Sequence, residues 1–179
     1  MTSCPQERPV GDASRPTVRR RRIDQSRSLI GFRIRKLGLY FVKGRFGRVD
    51  GWVEVDEAGI PRRAEVEIEA ASISTGMSPR DWHLRSRDFL DVGRHRIIHV
   101  KVDDVRLADT ELQAEAQLIV HGTSGPVQLG GHLHDDGSTG KLQIQGALDR
   151  HSFGVRARPP FDWIVGREVQ IDALIALER

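Results

Sequence analysis

Ala71-Ser72-Ile73-Ser74-Thr75-Gly76-Met77-Ser78-Pro79-Arg80-Asp81-Trp82-His83-Leu84-Arg85-Ser86-Arg87-Asp88-Phe89-Leu90-Asp91-Val92 is the long stretch of this chain that does not alternate apolar and polar residues. Ser78-Pro79-Arg80-Asp81 is a helix-start pattern: a serine that can cap free N–H groups, a proline suited to the first helical position, and an acid three residues later. Arg80, Asp81, His83, Arg85, Arg87, Asp88 and Asp91 make it dense in charge of both signs. The spacing predicts one helix set between runs of strands.

The strands read outward from it. Before the helix, Ala64, Val66, Ile68 and Ala70 alternate with Glu65, Glu67 and Glu69. Ile30, Phe32 and Ile34 alternate with Arg33 and Arg35, and a second strand system runs over 42–55 with Gly44, Gly47 and Gly51 as bends. After the helix, Ile98, Val100 and Val102 share one face, as do Leu112, Ala114, Ala116, Leu118 and Val120. Turns are expected at 108–110, 121–126 and 135–138, with strands at 127–133, 142–148 and 169–177. About eight strands, each with one apolar face, predict an all-β fold: an extended eight-stranded antiparallel barrel with one helix between strands 3 and 4. Closure would remove the exposed edges. Gly44, Ala64, Ala70, Ala114, Ala116 and Ala173 are small inward residues, so an elongated apolar cavity is expected. Lys36 to Phe41 is read as a short helical lid or a turn, and as a lid Leu37–Phe41 would be a core cap or a gate.

A chain of 179 residues fits one domain, and 38% hydrophobic with 30% charged residues suits a globular protein. No run approaches the eighteen or so apolar residues of a membrane-spanning helix. Residues 1–22 hold six arginines against Glu7 and Asp12, 6 − 2 = +4; the net charge is +3, so the rest sums to −1. Residues 1–22 are therefore expected as a disordered basic arm, and 23–179 as the barrel domain. The Arg19–Arg22 run is read as a solvated tail or a weak anionic contact. No apolar run follows the arginines or precedes Cys4, so no export signal is read and a cytoplasmic location is expected.

Chemistry finds little support. His132 and His134 lie on one face of a strand without a third ligand in sequence, beside an Asp-Asp-Gly turn, and no metal is assigned. Ser72, Ser74, Thr75, His83 and Asp81 lack a nucleophile elbow. No phosphate-binding glycine loop or dinucleotide fingerprint occurs, and no specific nucleic-acid partner is expected. The charged helix residues Arg80, Asp81, His83, Arg85 and Asp88 are read as a structural network pinning the helix to a barrel end; the alternative is a rim that meets a polar head group.

Arg80-Asp-x-His-Leu-Arg-Ser-x-Asp-Phe89, preceded by Ala71-Ser-Ile-x-Thr-Gly76, resembles the central signature of the YceI-like family. Val42-x-Gly-x-Phe46 with Gly51, Leu118-x-Val-x-Gly122 with Pro126-Val127, and Asp149-Arg-x-x-Phe-Gly154 match in the same order. The chain departs from the family pattern at Arg27-Ser28, Lys36, His95-Arg96, Val100 and Ser152. The resemblance implies a lipocalin-like barrel that binds polyisoprenoids or other long-chain amphiphilic lipids, often as a homodimer and without catalytic residues. The expected function is a non-catalytic carrier with no cofactor beyond a bound polyisoprenoid or fatty-acyl ligand. The cavity residues expected are Ile30, Phe32, Ile34, Phe46, Val66, Ile68, Ile98, Val100, Leu118, Val120, Ile171 and Ile175. The alternative is an interaction module with a filled barrel, whose basic arm contacts an anionic partner.

Overall fold

The computed structural model describes residues 17–135, 140–156 and 164–178. In chain order the strands are β1 (Arg19–Arg22), β2 (Leu29–Lys36), β3 (Tyr40–Phe46), β4 (Val49–Val55), β5 (Pro61–Glu69) and β6 (Ile73–Ser74). The helix α1 (Ser78–Arg85) follows, then β7 (Ile97–Ala108), β8 (Glu111–Val120), β9 (Thr123–Asp135), β10 (Gly140–Asp149) and β11 (Val165–Ala176). Every pairing is antiparallel, in the order β1-β4-β5-β7-β8-β9-β10-β11-β2-β3-β6.

Among the described residues, eleven strands make eight passes. β1 and β2 are one pass broken by the 3-10 turn Gln25–Arg27, β3 and β4 are one pass bent at Gly47 and Arg48, and β5 and β6 are one pass broken by the 3-10 turn Ala70–Ser72, so 11 − 3 = 8. The ring then closes. The first pass pairs with the second through Arg22↔Trp52 and Ile30↔Phe46, and the second with the third through Val49↔Ile68 and Phe46↔Ile73. The last strand returns to the first pass through Ala173↔Ile30 and the bridge Leu177↔Ile23. Closure gives each long strand two partner strands over at least part of its length, which shortens the free edges.

Alternation places the inward residues as expected on β5 and β8, with Glu65, Glu67, Glu115 and Gln117 exposed on the outside. On β7 the alternation is broken. A bulge between Val102 and Val105 absorbs Asp103 and Asp104, so both valines are buried and both acids stay exposed. Without the bulge, strict alternation would turn Asp104 into the core, where an unpaired carboxylate is costly.

Several expectations are corrected. The Arg19–Arg22 run is a strand, not part of a loose arm. Its outward arginines find acids and a ring on β4: Arg20 reaches Glu54 at 3.0 Å and lies 3.9 Å over the Trp52 ring, and Arg22 reaches Asp50 at 3.1 Å. Arg21 donates to the Glu178 carbonyl at 2.6 Å. The rest of the expected arm, 1–16, lies outside the described residues. The turn after β8 is only His121-Gly122, at φ 51° and 73°; Thr123 to Pro126, expected in the turn, already pair with β8. Most of the expected turn at 135–138 lies outside the described residues. Of the two readings of 36–41 the turn holds and the lid does not: residues 37–39 make a hairpin turn with Leu37 at φ 53°, Tyr40 and Phe41 already belong to β3, and the apolar side chains of Leu37, Leu39, Tyr40 and Phe41 are exposed and do not line the interior.

Candidate functional site

The barrel interior could hold a ligand. A cavity of about 300 Å³ runs inside it, lined by side chains from all eight passes. All twelve expected cavity residues line it, including Ile30, Phe46, Val100 and Ile175. Their placement follows from register. Val66 faces Val100, Val100 faces Leu118, and Phe32 faces Ile171, so inward residues meet in rows around the ring. The parity reading missed others, chiefly Val53, Leu129, Leu142, Ile144, Phe153 and Arg150. Leu142 and Ile144 were within reach, since both sit on the apolar face of a strand already recognised.

The lining separates into packed and open positions. Ala116 is 1% exposed, opposite Val102 and Val127, whereas Ala114 faces inward and stays half-buried. An inward residue that keeps accessible surface borders empty space, so Ala114 marks room and Ala116 does not. Gly44, expected to leave room, leaves none. A β-carbon there would stand 2.3 Å from Phe32 Cζ, because the Phe32 ring lies across the glycine and against Phe46, ring centres 5.7 Å apart. The volume implied by one small residue is filled by a large neighbour.

The ends differ. Leu84, Phe89 and Leu90, from α1 and the segment after it, border the end where the chain leaves β6 and enters β7. Pro61 and Arg63 border the opposite end. Arg150 is buried beside the cavity at the helix end, with its Nε, Nη1 and Nη2 donating to the carbonyls of Gly166, Val155 and Val165, each at 2.9 Å. These bonds tie the end of β10 to the start of β11. Arg63 and Arg150 are the charged residues among an otherwise apolar lining.

The helix network lies outside this cavity. Ser78 is not the cap: Met77 occupies that position, and Pro79 lies within the first turn. Asp81 is buried and reaches back to the chain before the helix, accepting hydrogen bonds from Thr75 N at 2.8 Å and from Thr75 Oγ1. The Thr75 hydroxyl holds its carboxyl below the usual carboxylate range, against burial, with the Thr75 amide, Ser74 and Arg85 adding to the lowering. Arg80 donates to Thr75 Oγ1 at 2.7 Å and to the Thr75 carbonyl at 3.0 Å; Arg85 donates to the Ile73 carbonyl at 2.7 Å. His83 is exposed, packs edge-on to Phe89 and lies 4.0 Å from Asp88. The expected ion pairs are thus mostly hydrogen bonds from helix side chains to residues 73–75, which fasten α1 to β6 rather than face a ligand.

A closed antiparallel barrel with an apolar interior and one helix fastened across its third-to-fourth crossing defines the class: a lipocalin-like β-barrel. The chain belongs to the YceI-like family, whose YceI-like domain model matches residues 22–177. It is 30% identical over 100 residues to a UPF0312 protein of Vibrio cholerae serotype O1, covering 55% of this chain and 53% of that protein. It is 31% identical over 112 residues to a UPF0312 protein of Pseudomonas paraeruginosa, covering 62% and 59%. These alignments span a little over half the length of those relatives. Among solved structures, Burkholderia cenocepacia BcnA superposes with TM-score 0.78 at 19% identity, over 86% of this chain and 98% of that one. A polyisoprenoid-binding domain from Saccharophagus degradans superposes with TM-score 0.71 at 18% identity, over 88% and 97%. At such identities the likeness concerns the fold.

Proposed function

We propose that this protein is a non-catalytic carrier that holds the apolar chain of an isoprenoid or similar long-chain amphiphile inside the barrel. The observation that carries the reading is the cavity of about 300 Å³ with an almost wholly apolar lining. Enclosed apolar space gains from filling, at about 0.8 kcal/mol for each methylene taken from water. The volume lies at the lower bound of the roughly 300–1,000 Å³ of small-molecule pockets, which suits a short chain or one segment of a long one. The polyisoprenoid-binding description of the Saccharophagus domain agrees with this chemistry. The filled-barrel alternative loses its premise to the same cavity, and its basic run loses Arg20 and Arg22 to partners on β4.

Native mass spectrometry of freshly purified full-length protein, followed by solvent extraction, is the test. The expected result is an adduct that extracts as an apolar-chain lipid. A protein that is free of lipid as purified and takes up neither fatty acids nor prenols from added micelles would overturn the proposal.

A further inference from the structure

A second cluster lies at the helix end of the barrel, apart from the helix network and from the cavity lining. Asp91 lies after α1, His95 just before β7, and His121 in the two-residue turn from β8 to β9. One ligand atom from each lies within 4.8 Å of the other two. The histidine rings are 5.0 Å apart at their centres.

The local structure brings them together. The amides of Arg94 and His95 both donate to the Asp91 carbonyl at 2.9 Å, a tight turn that folds His95 back over Asp91. Gly122 makes room for that ring: a β-carbon there would stand 2.7 Å from His95 Cε1. Asp91 and His121 both hold left-handed backbone, at φ 43° and 51°, uncommon for residues other than glycine.

The three side chains make few contacts with polar groups of the described residues. Asp91 has a side chain only 10% exposed, yet no described residue donates a hydrogen bond to its carboxylate. Its one ionic neighbour among the described residues is Arg94, 3.8 Å away and 72% exposed. A carboxylate with no donor among the described residues, whose oxygens are not sealed from solvent, can be reached by a cation. Neither the His95 nor the His121 ring makes a hydrogen bond among the described residues.

We propose that Asp91, His95 and His121 bind a divalent transition-metal ion, zinc being the best match, with at least one coordination position left open. Two imidazoles and one carboxylate are borderline donors that suit Zn²⁺ and its neighbours; Mg²⁺ and Ca²⁺ call for oxygen alone. Bonds of about 2.0–2.2 Å to a tetrahedral ion put ligand atoms roughly 3.3 Å apart, so side-chain rotations closing about 1.5 Å complete the site. Arg94, mostly in solvent, swings away as the ion replaces it. The ion would join the segment behind α1 to the β8–β9 turn, next to the cavity-lining residues Leu90 and Val120.

The test uses metal-free full-length chain carrying Cys4→Ser, so that the thiol does not contribute. Zn²⁺ is titrated by calorimetry and bound metal is counted after equilibrium dialysis. The expected result is one saturable equivalent. Asp91→Asn, His95→Asn and His121→Asn should each weaken it at least about tenfold, the smaller loss seen even for outer-shell changes. Asparagine tolerates the left-handed backbone at 91 and 121, and metal-free melting of each variant checks its fold. Zn²⁺ should raise the melting temperature of the parent more than that of the variants. His132→Asn/His134→Asn, on an exposed strand face, should change nothing. No saturable binding, or binding lost with the His132/His134 pair but kept in folded variants of the trio, overturns the proposal.

Discussion

Ala114→Phe separates a cavity that binds from one that merely exists. Ala114 lines the interior, faces inward and keeps accessible surface, so the new ring enters space that no side chain occupies. The ring takes the room of about five methylenes; at about 0.8 kcal/mol each, a ligand displaced by that amount loses about 4 kcal/mol, close to a thousandfold in affinity. Stability should hold or rise, as for other cavity-filling changes. Ala116→Phe is the contrast. Its β-carbon is already enclosed opposite Val102 and Val127, so the same ring overpacks the core and should cost about 1–3 kcal/mol. Displacement of a dansyl-labelled fatty acid reads affinity, and thermal melting reads fold. Ala114→Phe with unchanged melting and unchanged affinity would refute the cavity as the binding site.

Two further changes test the framework. Gly44→Ala puts a β-carbon 2.3 Å from Phe32 Cζ and 2.9 Å from Thr75 Cγ2; it should cost about 1–3 kcal/mol, and Phe32→Leu in the same chain should recover part of it in urea unfolding. Asp81→Asn keeps one acceptor oxygen for the Thr75 amide and hydroxyl but removes the charge that strengthens both bonds, and should cost about 1–2 kcal/mol at pH 7, the difference between charge-assisted and neutral bonds. The Asp81 carboxyl is lowered in the fold, so its contribution is complete above its unfolded value near 3.9 and is lost as pH falls through the folded one. The parent should therefore lose stability between pH 4 and 2 more steeply than Asp81→Asn; equal slopes in urea midpoints over that range would count against the Thr75–Asp81 link.

The barrel was legible wherever strands alternate, because one face must be apolar and the other wet. Glu65, Glu67 and Glu69 against Val66 and Ile68 admit one reading, and the twelve interior residues all came from such runs. What escaped depends on partners distant in sequence. Arg19–Arg22 looks like a solvated tail until β4 supplies Asp50, Glu54 and Trp52 beside it. Thr123 to Pro126 carries turn residues, yet ten register pairs with β8 override local preference. The bulge at Asp103–Asp104 is invisible to parity and shifts every later inward position on β7. Asp91, His95 and His121 show no ligand spacing, since it is the β7–β8 register, with His99 opposite Ile119, that brings the β8–β9 turn beside the segment leading into β7.

The helix stretch and the cavity divide the molecule's chemistry between them. The polar groups of the motif are engaged locally: Asp81 and Arg80 at Thr75, Arg85 at the Ile73 carbonyl. Those bonds hold α1 against β6, which sets Leu84, Phe89 and Leu90 across one end of the interior. Arg150, the charged side chain buried beside the cavity, is likewise turned to carbonyls that join β10 to β11. Little polarity is then left at the helix end to read a ligand's head group; Arg63 is the exposed charge at the other end, and along the apolar interior between them the proposed selection falls to volume and apolar contact, which discriminate weakly between chains of similar width. A motif specific enough to identify the family therefore secures the frame, while the proposed selectivity rests on positions such as Ala114, where it is the missing side-chain volume that counts.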